Sequence, residues 1–256
     1  MERKLVAIGG GRIPKWSFET KDDKESIYET KEIDEEIVRI SGKVKPRMLF
    51  IGTASRENES YFKAIKDIYE GLGAKVQELS LLEFNEMHET KEEFISRIRE
   101  IILSADIIYV GGGNTRHMID VWKDFYIEEI LKEALAEGTV LAGFSDGSYI
   151  MFKCNYELIE GMNLISMVNI VHYDEKNDEK KEEFKNTIIE KRIPGIALDN
   201  GIALEVIDDC VRIIKAIKDA KAYFVRQTGE EIELQENEVY SLIELIFNNL
   251  NCEGVI

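Results

Sequence analysis

Gly143-Phe144-Ser145-Asp146-Gly147 sets a serine between two glycines, directly after the apolar run Val140–Ala142 and before Tyr149-Ile150-Met151-Phe152. Strand, sharp turn and helix in that order lift a serine hydroxyl out of an α/β sheet as a nucleophile. Side chains at the two glycine positions would collide where the backbone folds so tightly. The free N–H groups of a helix starting there can stabilise negative charge beside the serine. The competing reading is an ordinary turn serine.

A serine nucleophile needs a base, and histidine suits that task near neutral pH. The chain has three histidines. His88 lies in the polar stretch Asn85–Glu89, and His117 falls on the helix expected after Gly111-Gly112-Gly113-Asn114. His172 ends the apolar run Val168–Val171, so it emerges at a strand end on the same rim as Ser145 and is the candidate base. Its ring needs an acceptor to fix the tautomer, and the acids between Ser145 and His172 are Asp146, Glu157 and Glu160. Asp146 belongs to the elbow and is expected to point away from the imidazole. Alternation along an extended segment puts Glu157 and Glu160 on opposite faces, so one at most can serve; Glu157 is selected, with Glu160 as the alternate. An acyl-transfer oxyanion needs two donors. These are assigned to the Asp146 N–H and to Gly112 or Gly113, with Asn114 tying down their loop.

These residues need a frame to hold them. Short β-rich runs (Leu5–Ile8, Met48–Ile51, Lys75–Leu79, Ile107–Val110, Val140–Ala142) alternate with amphipathic stretches (Ile33–Ile40, Tyr61–Leu72, Lys91–Leu103, Ile127–Ala136). That alternation predicts an α/β fold with a mostly parallel central sheet flanked by helices. After Gly195 the runs Gly195–Leu198, Ile202–Val206, Val211–Ile214 and Ala222–Arg226 read as antiparallel strands added to one side of the sheet, and Glu238–Leu250 as a closing helix. No repeat or linker divides the chain, so residues 1–256 are expected to form a single domain. Ligands of such sheets bind at the carboxyl ends of the strands. The loops Gly9–Gly11, Gly52–Ser55, Gly111–Asn114 and the Ser145 turn would gather there. None has the spacing of a phosphate-binding loop.

The formal charge of −17 argues against a nucleic-acid or anionic-membrane partner, since both attract basic surface. Cys154, Cys210 and Cys252 are odd in number and lack metal-ligand spacing, which fits a reducing compartment and no metal site. Cys154 is expected to be a core residue of the elbow helix. Leu5–Ile8 is too short for a signal peptide or membrane helix. The expectation is a soluble cytoplasmic protein.

The motifs taken together resemble the peptidase E / cyanophycinase family of serine peptidases. Tyr109–Thr115 is similar to the family's VGGGNT loop, Gly143–Gly147 to its G-x-S-A-G elbow, and Val171–Asp174 to its PHYD segment. Pro194–Gly201 resembles a PGIALDDG stretch, and Phe50–Ser55 the IPTAS loop. The resemblance implies a class I glutamine amidotransferase-like fold and hydrolysis of short peptides by a Ser-His-acid acyl transfer without a cofactor. It implies a small peptide substrate, N-terminal aspartate being one candidate residue, and leaves a homodimer open. Two departures bear on function. Asp146 replaces the usual alanine, which suggests either an impaired, ligand-binding relative or a carboxylate that binds a substrate amino group. After the PHYD-like segment, Glu175–Phe184 offers lysines in place of the family's arginine, and an ammonium cannot copy bidentate carboxylate recognition.

Overall fold

The computed structural model describes residues 1–14, 27–86 and 89–247. Its first half runs through β1 (Lys4–Ile8), α1 (Lys31–Ile40), β2 (Arg47–Ile51), α2 (Glu59–Gly71), β3 (Lys75–Leu79), α3 (Lys91–Leu103), β4 (Ile107–Val110), α4 (Thr115–Phe125), α5 (Ile127–Ala136) and β5 (Val140–Phe144). The five strands pair in parallel in the order β1-β5-β4-β2-β3. Parallel strands covered by helices on both faces read as continuous apolar runs. In β1, Leu5 and Ala7 enter one core while Val6 and Ile8 enter the other. The same division holds in β2, with Leu49 and Ile51 against Met48 and Phe50.

The helices form where the sequence caps them. Thr90 and Glu93 make a reciprocal capping box at the start of α3, and the Asn58 and Asn114 side chains accept from the first turns of α2 and α4. Caps of this kind contribute about 1 kcal/mol each. The expected apolar stripe of α1 is buried through Ile33, Ile37 and Ile40.

The second half departs from a single sheet. It comprises β6 (Phe152–Asn155), β7 (Ile165–Val171), α6 (Asp178–Lys191), β8 (Gly195–Leu198), β9 (Ile202–Ile207), β10 (Cys210–Lys215), β11 (Ala222–Val225), β12 (Glu231–Leu234), β13 (Tyr240–Ser241) and α7 (Leu242–Ile246). Strands β9, β10 and β13 extend the first sheet, with β9 antiparallel to β1. Strands β6, β7 and β8 pair in parallel, and β11 and β12 add antiparallel strands to make a second, five-stranded sheet. The antiparallel additions near the C-terminus are therefore present, but shared between two sheets. The chain changes sheet at Asp199–Gly201, between β8 and β9. The closing helix expected over Glu238–Leu250 is α7 within the described residues; 248–250 lie outside them.

The segment after Ser145 is also not the expected α-helix. Residues Ser145–Met151 form a 3-10 turn and Phe152 starts β6, so Cys154 sits in a strand. Tyr149-Ile150-Met151-Phe152 is buried at every position. A long surface helix would turn one of these side chains to solvent, whereas a tight turn into a strand buries all four.

Candidate active site

The site lies where the carboxyl ends of two parallel strand sets meet: β4 and β5 from the first sheet, β7 and β8 from the second. Ser145 follows β5 directly and holds a left-handed φ of 52°. Such a conformation in a non-glycine residue is strained and must be held by its surroundings. The glycine at position 147 makes the turn possible, because a Cβ there would come within 2.3 Å of the Val110 carbonyl oxygen. The Ser148 hydroxyl closes the turn by donating to the Ser145 carbonyl at 2.7 Å. Ser145 itself is nearly buried.

His172 follows β7 and has a left-handed φ of 52°. Its Nε2 lies 2.6 Å from Ser145 Oγ. Its backbone N–H donates to Gly9 O at 3.0 Å, and Gly201 N–H donates to Gly10 O at 2.9 Å, so the loop after β1 ties both sheets together. The close packing requires glycine at position 10: a Cβ there would meet His172 Cε1 at 2.2 Å and Asn200 Oδ1 at 2.4 Å.

The third member of the array is Asn200, which follows β8. Its Oδ1 lies 2.6 Å from His172 Nδ1. Its Nδ2 donates to both Asp174 oxygens at 3.2 Å and to Glu175 Oε1 at 2.8 Å, and its backbone N–H donates to Asp174 Oδ1 at 2.9 Å. The selection of Glu157 as the acceptor of the histidine is corrected by this contact. Residues 156–157 form a turn rather than a strand, and Glu157 instead accepts from the Tyr156 hydroxyl at 3.3 Å. The alternate Glu160 is exposed, beside Cys154 in an isolated bridge. The sequence carried a signal for Asn200: it ends a strand-like run on the His172 rim, yet Asp199-Asn200-Gly201 also has the composition of a plain turn. The neighbouring Asp199 faces away, accepting from Lys221 N–H at 2.8 Å.

On the opposite side of Ser145 lies the glycine loop after β4. Its Asn114 N–H donates to Ala54 O at 2.8 Å, while the Asn114 side chain caps α4 by accepting from His117 N–H at 2.9 Å. Trp122 Nε1 donates to Thr53 at 3.3 Å, so residues 53–54 brace this loop from below. Gly112 packs against Ser145, but its N–H points to the buried Tyr61 hydroxyl at 3.4 Å. The Gly113 N–H faces the Asp146 carboxylate and favours its ionised form. Contrary to expectation, Asp146 does not point away. It lines a cleft of about 290 Å³ together with Gly113, Arg116, Glu157, His172 and Lys176. Burial pushes its carboxyl above the usual range and the charge of Glu157 adds to that, against His172, Lys176 and the Gly113 N–H.

The other candidates stand apart. His117 is half-buried, with Nε2 out of contact with any partner among the described residues. His88, Trp16 and Cys252 lie outside the described residues. Trp122 is core, and Cys154 and Cys210 are free thiols. Among the described residues no group of three or more His, Cys, Asp or Glu could hold a metal ion, and no helix is long and apolar enough to cross a membrane.

The chain as a whole has relatives among known proteins. An uncharacterised peptidase, YgaJ, of Bacillus subtilis (strain 168) is 28% identical over 90% of this chain and 95% of its own length. Peptidase E of Nostoc sp. (strain PCC 7120) is 22% identical over 72% of this chain and 90% of its own. A peptidase structure from an acI-B1 actinobacterium superposes with a TM-score of 0.68 at 21% identity, covering 93% of this chain and 96% of that one. A Listeria monocytogenes EGD-e structure titled a putative peptidase E protein gives 0.57 at 20% identity, over 84% of this chain and 99% of that one. The family model for peptidase family S51 matches residues 23–214, which include Ser145, His172 and Asn200; the chain belongs to peptidase family S51.

Proposed function

We propose that this chain is a serine peptidase that hydrolyses short peptides through an acyl-enzyme on Ser145. The observation that carries the reading is the 2.6 Å contact between Ser145 Oγ, on a strained elbow, and His172 Nε2. In the first step Oγ attacks the scissile carbonyl carbon while Nε2 takes the hydroxyl proton. The tetrahedral oxyanion then needs donors, and the Asp146 and Gly113 N–H groups are the candidates beside Ser145. Collapse breaks the C–N bond, and His172 returns its proton to the departing amine. Water, deprotonated by the same nitrogen, hydrolyses the ester and restores the serine. Asn200 holds the imidazole in place throughout, so the working array is Ser145–His172–Asn200 with Asp174 and Glu175 behind it. Arg116 and Lys176 line the cleft and offer partners for the free carboxylate of a short peptide.

The test is a panel of α- and β-aspartyl, glutamyl and neutral dipeptides incubated with the wild type, Ser145→Ala and His172→Ala, with released amino acids quantified. Hydrolysis by the wild type that disappears in both variants supports the reading. Hydrolysis surviving in Ser145→Ala, or none by the wild type on any peptide, removes it.

A further inference from the structure

The acyl-transfer reading leaves the Asp146 side chain without a task. It is a half-buried carboxylate in the residue next to the nucleophile, and it faces the cleft that a substrate must enter. Among the described residues no Lys or Arg forms an ion pair with it. The charges of His172 and Lys176 and the facing Gly113 N–H favour its ionised form. Glu157 lines the same cleft and adds a second negative charge toward it. A half-buried carboxylate that forms no ion pair with Lys or Arg and shares its cleft with a second anion can take a ligand cation as its partner.

We propose that Asp146, with Glu157 behind it, anchors the free α-ammonium group of the substrate, so that the enzyme takes short peptides with unblocked N-termini. This rests on the acyl-transfer reading above. Covalent geometry supports the placement. When the N-terminal residue forms the acyl part, its ammonium nitrogen is two bonds from the carbonyl carbon that Ser145 attacks. Its partner must therefore stand beside the nucleophile, where Asp146 is. The same pairing draws the carboxylate away from the Gly113 N–H and leaves that donor to the oxyanion. A free amine would thus both bind and help assemble the site, whereas an N-acylated peptide leaves Asp146 on Gly113.

The experiment compares free Xaa-Ala dipeptides with their N-acetyl counterparts on the wild type and Asp146→Asn. In parallel, a fluorophosphonate probe reports whether Ser145 is reactive in each protein. A charge-assisted contact of this kind is worth roughly 10- to 100-fold in binding. The wild type should prefer free peptides by at least about that factor, and Asp146→Asn should erase most of the preference through KM. A wild-type-only readout guards against a misfolded variant: alaninamide should slow probe labelling of Ser145, and N-acetylalaninamide should not. The inference fails if the preference is the same in Asp146→Asn, or if that variant is faster on both peptide classes. The latter result would make Asp146 a plug on the Gly113 donor. If the wild type neither labels nor hydrolyses anything, the acyl-transfer reading itself falls; labelling with hydrolysis but no free-amine preference removes only the role given to Asp146.

Discussion

Asn200 Oδ1 lies 2.6 Å from His172 Nδ1, and that contact fixes which imidazole nitrogen can act on Ser145. The chain of constraints begins behind it. Asp174 and Glu175 carboxylates accept only, so the asparagine must turn its Nδ2 to them and its oxygen to the histidine. The oxygen in turn requires a proton on Nδ1. Nε2 is left with its lone pair toward the Ser145 hydroxyl, the tautomer a general base needs. A neutral amide thereby does the orienting, and the negative charge that would stabilise an imidazolium is moved back to Asp174 and Glu175.

Removing the reacting groups should be the largest effect. Ser145→Ala and His172→Ala are each expected to lower kcat/KM for dipeptide hydrolysis by about 1,000-fold or more. Combining them should cost little further, because the two act as one unit. Steady-state kinetics of the single and double variants checks this.

Asn200→Ala removes the acceptor of Nδ1 and should reduce kcat by roughly 10- to 100-fold with a smaller effect on KM. Asn200→Asp combined with Asp174→Asn places the charge directly on the imidazole. An adjacent anion favours the protonated ring, so the acidic limb of the pH–kcat/KM profile should move to higher pH. A limb that stays in place would show that Asn200 does not hold the histidine. Glu157→Gln should leave that limb where it is, since Glu157 does not touch the ring.

Gly10→Ala tests the brace. The added methyl would stand 2.2 Å from His172 Cε1 on a backbone with φ of +136°, so the imidazole must move. A displacement of about 1 Å costs on the order of 100-fold in rate. Loss of hydrolysis and of Ser145 labelling, with the circular dichroism spectrum retained, is the expected result.

The sequence exposed the parts of the site that obey local rules. The glycines around Ser145 and the strand-end position of His172 follow from backbone sterics and from a run of apolar residues, and both can be read within a dozen positions. Asn200 could not be found in that way. It stands 28 residues from His172 along the chain, and its role depends on β7 and β8 being parallel neighbours with a crossover helix between them. The same holds for the second sheet: short apolar runs mark β8 and β11 as strands, but pairing partners are a matter of tertiary contact. Glu157 is a candidate only on an extended segment, and the chain turns at 156–157. Asp146 is visible as a departure in the elbow, while the direction of its side chain, into the cleft with His172 and Lys176, is a matter of tertiary contact.

Asp34 makes a prediction about stability that is independent of catalysis. It is buried on α1 and accepts from the Thr30, Tyr28 and Tyr69 hydroxyls at 2.8, 2.9 and 2.7 Å. Burial nonetheless outweighs these bonds and pushes its carboxyl up to about 6, against about 3.9 in an unfolded chain. Between those values the native state binds more protons than the unfolded state, so this group's contribution is complete below about pH 4 and declines as pH rises through 6. The shift corresponds to about 3 kcal/mol. Asp34→Asn removes the titration while keeping one acceptor oxygen. Urea unfolding at pH 4, 5, 6 and 7 should therefore show the variant gaining on the wild type as pH increases, with most of the change between pH 4 and 6. A stability difference that is flat across that range would mean that Asp34 is ionised in the native protein throughout.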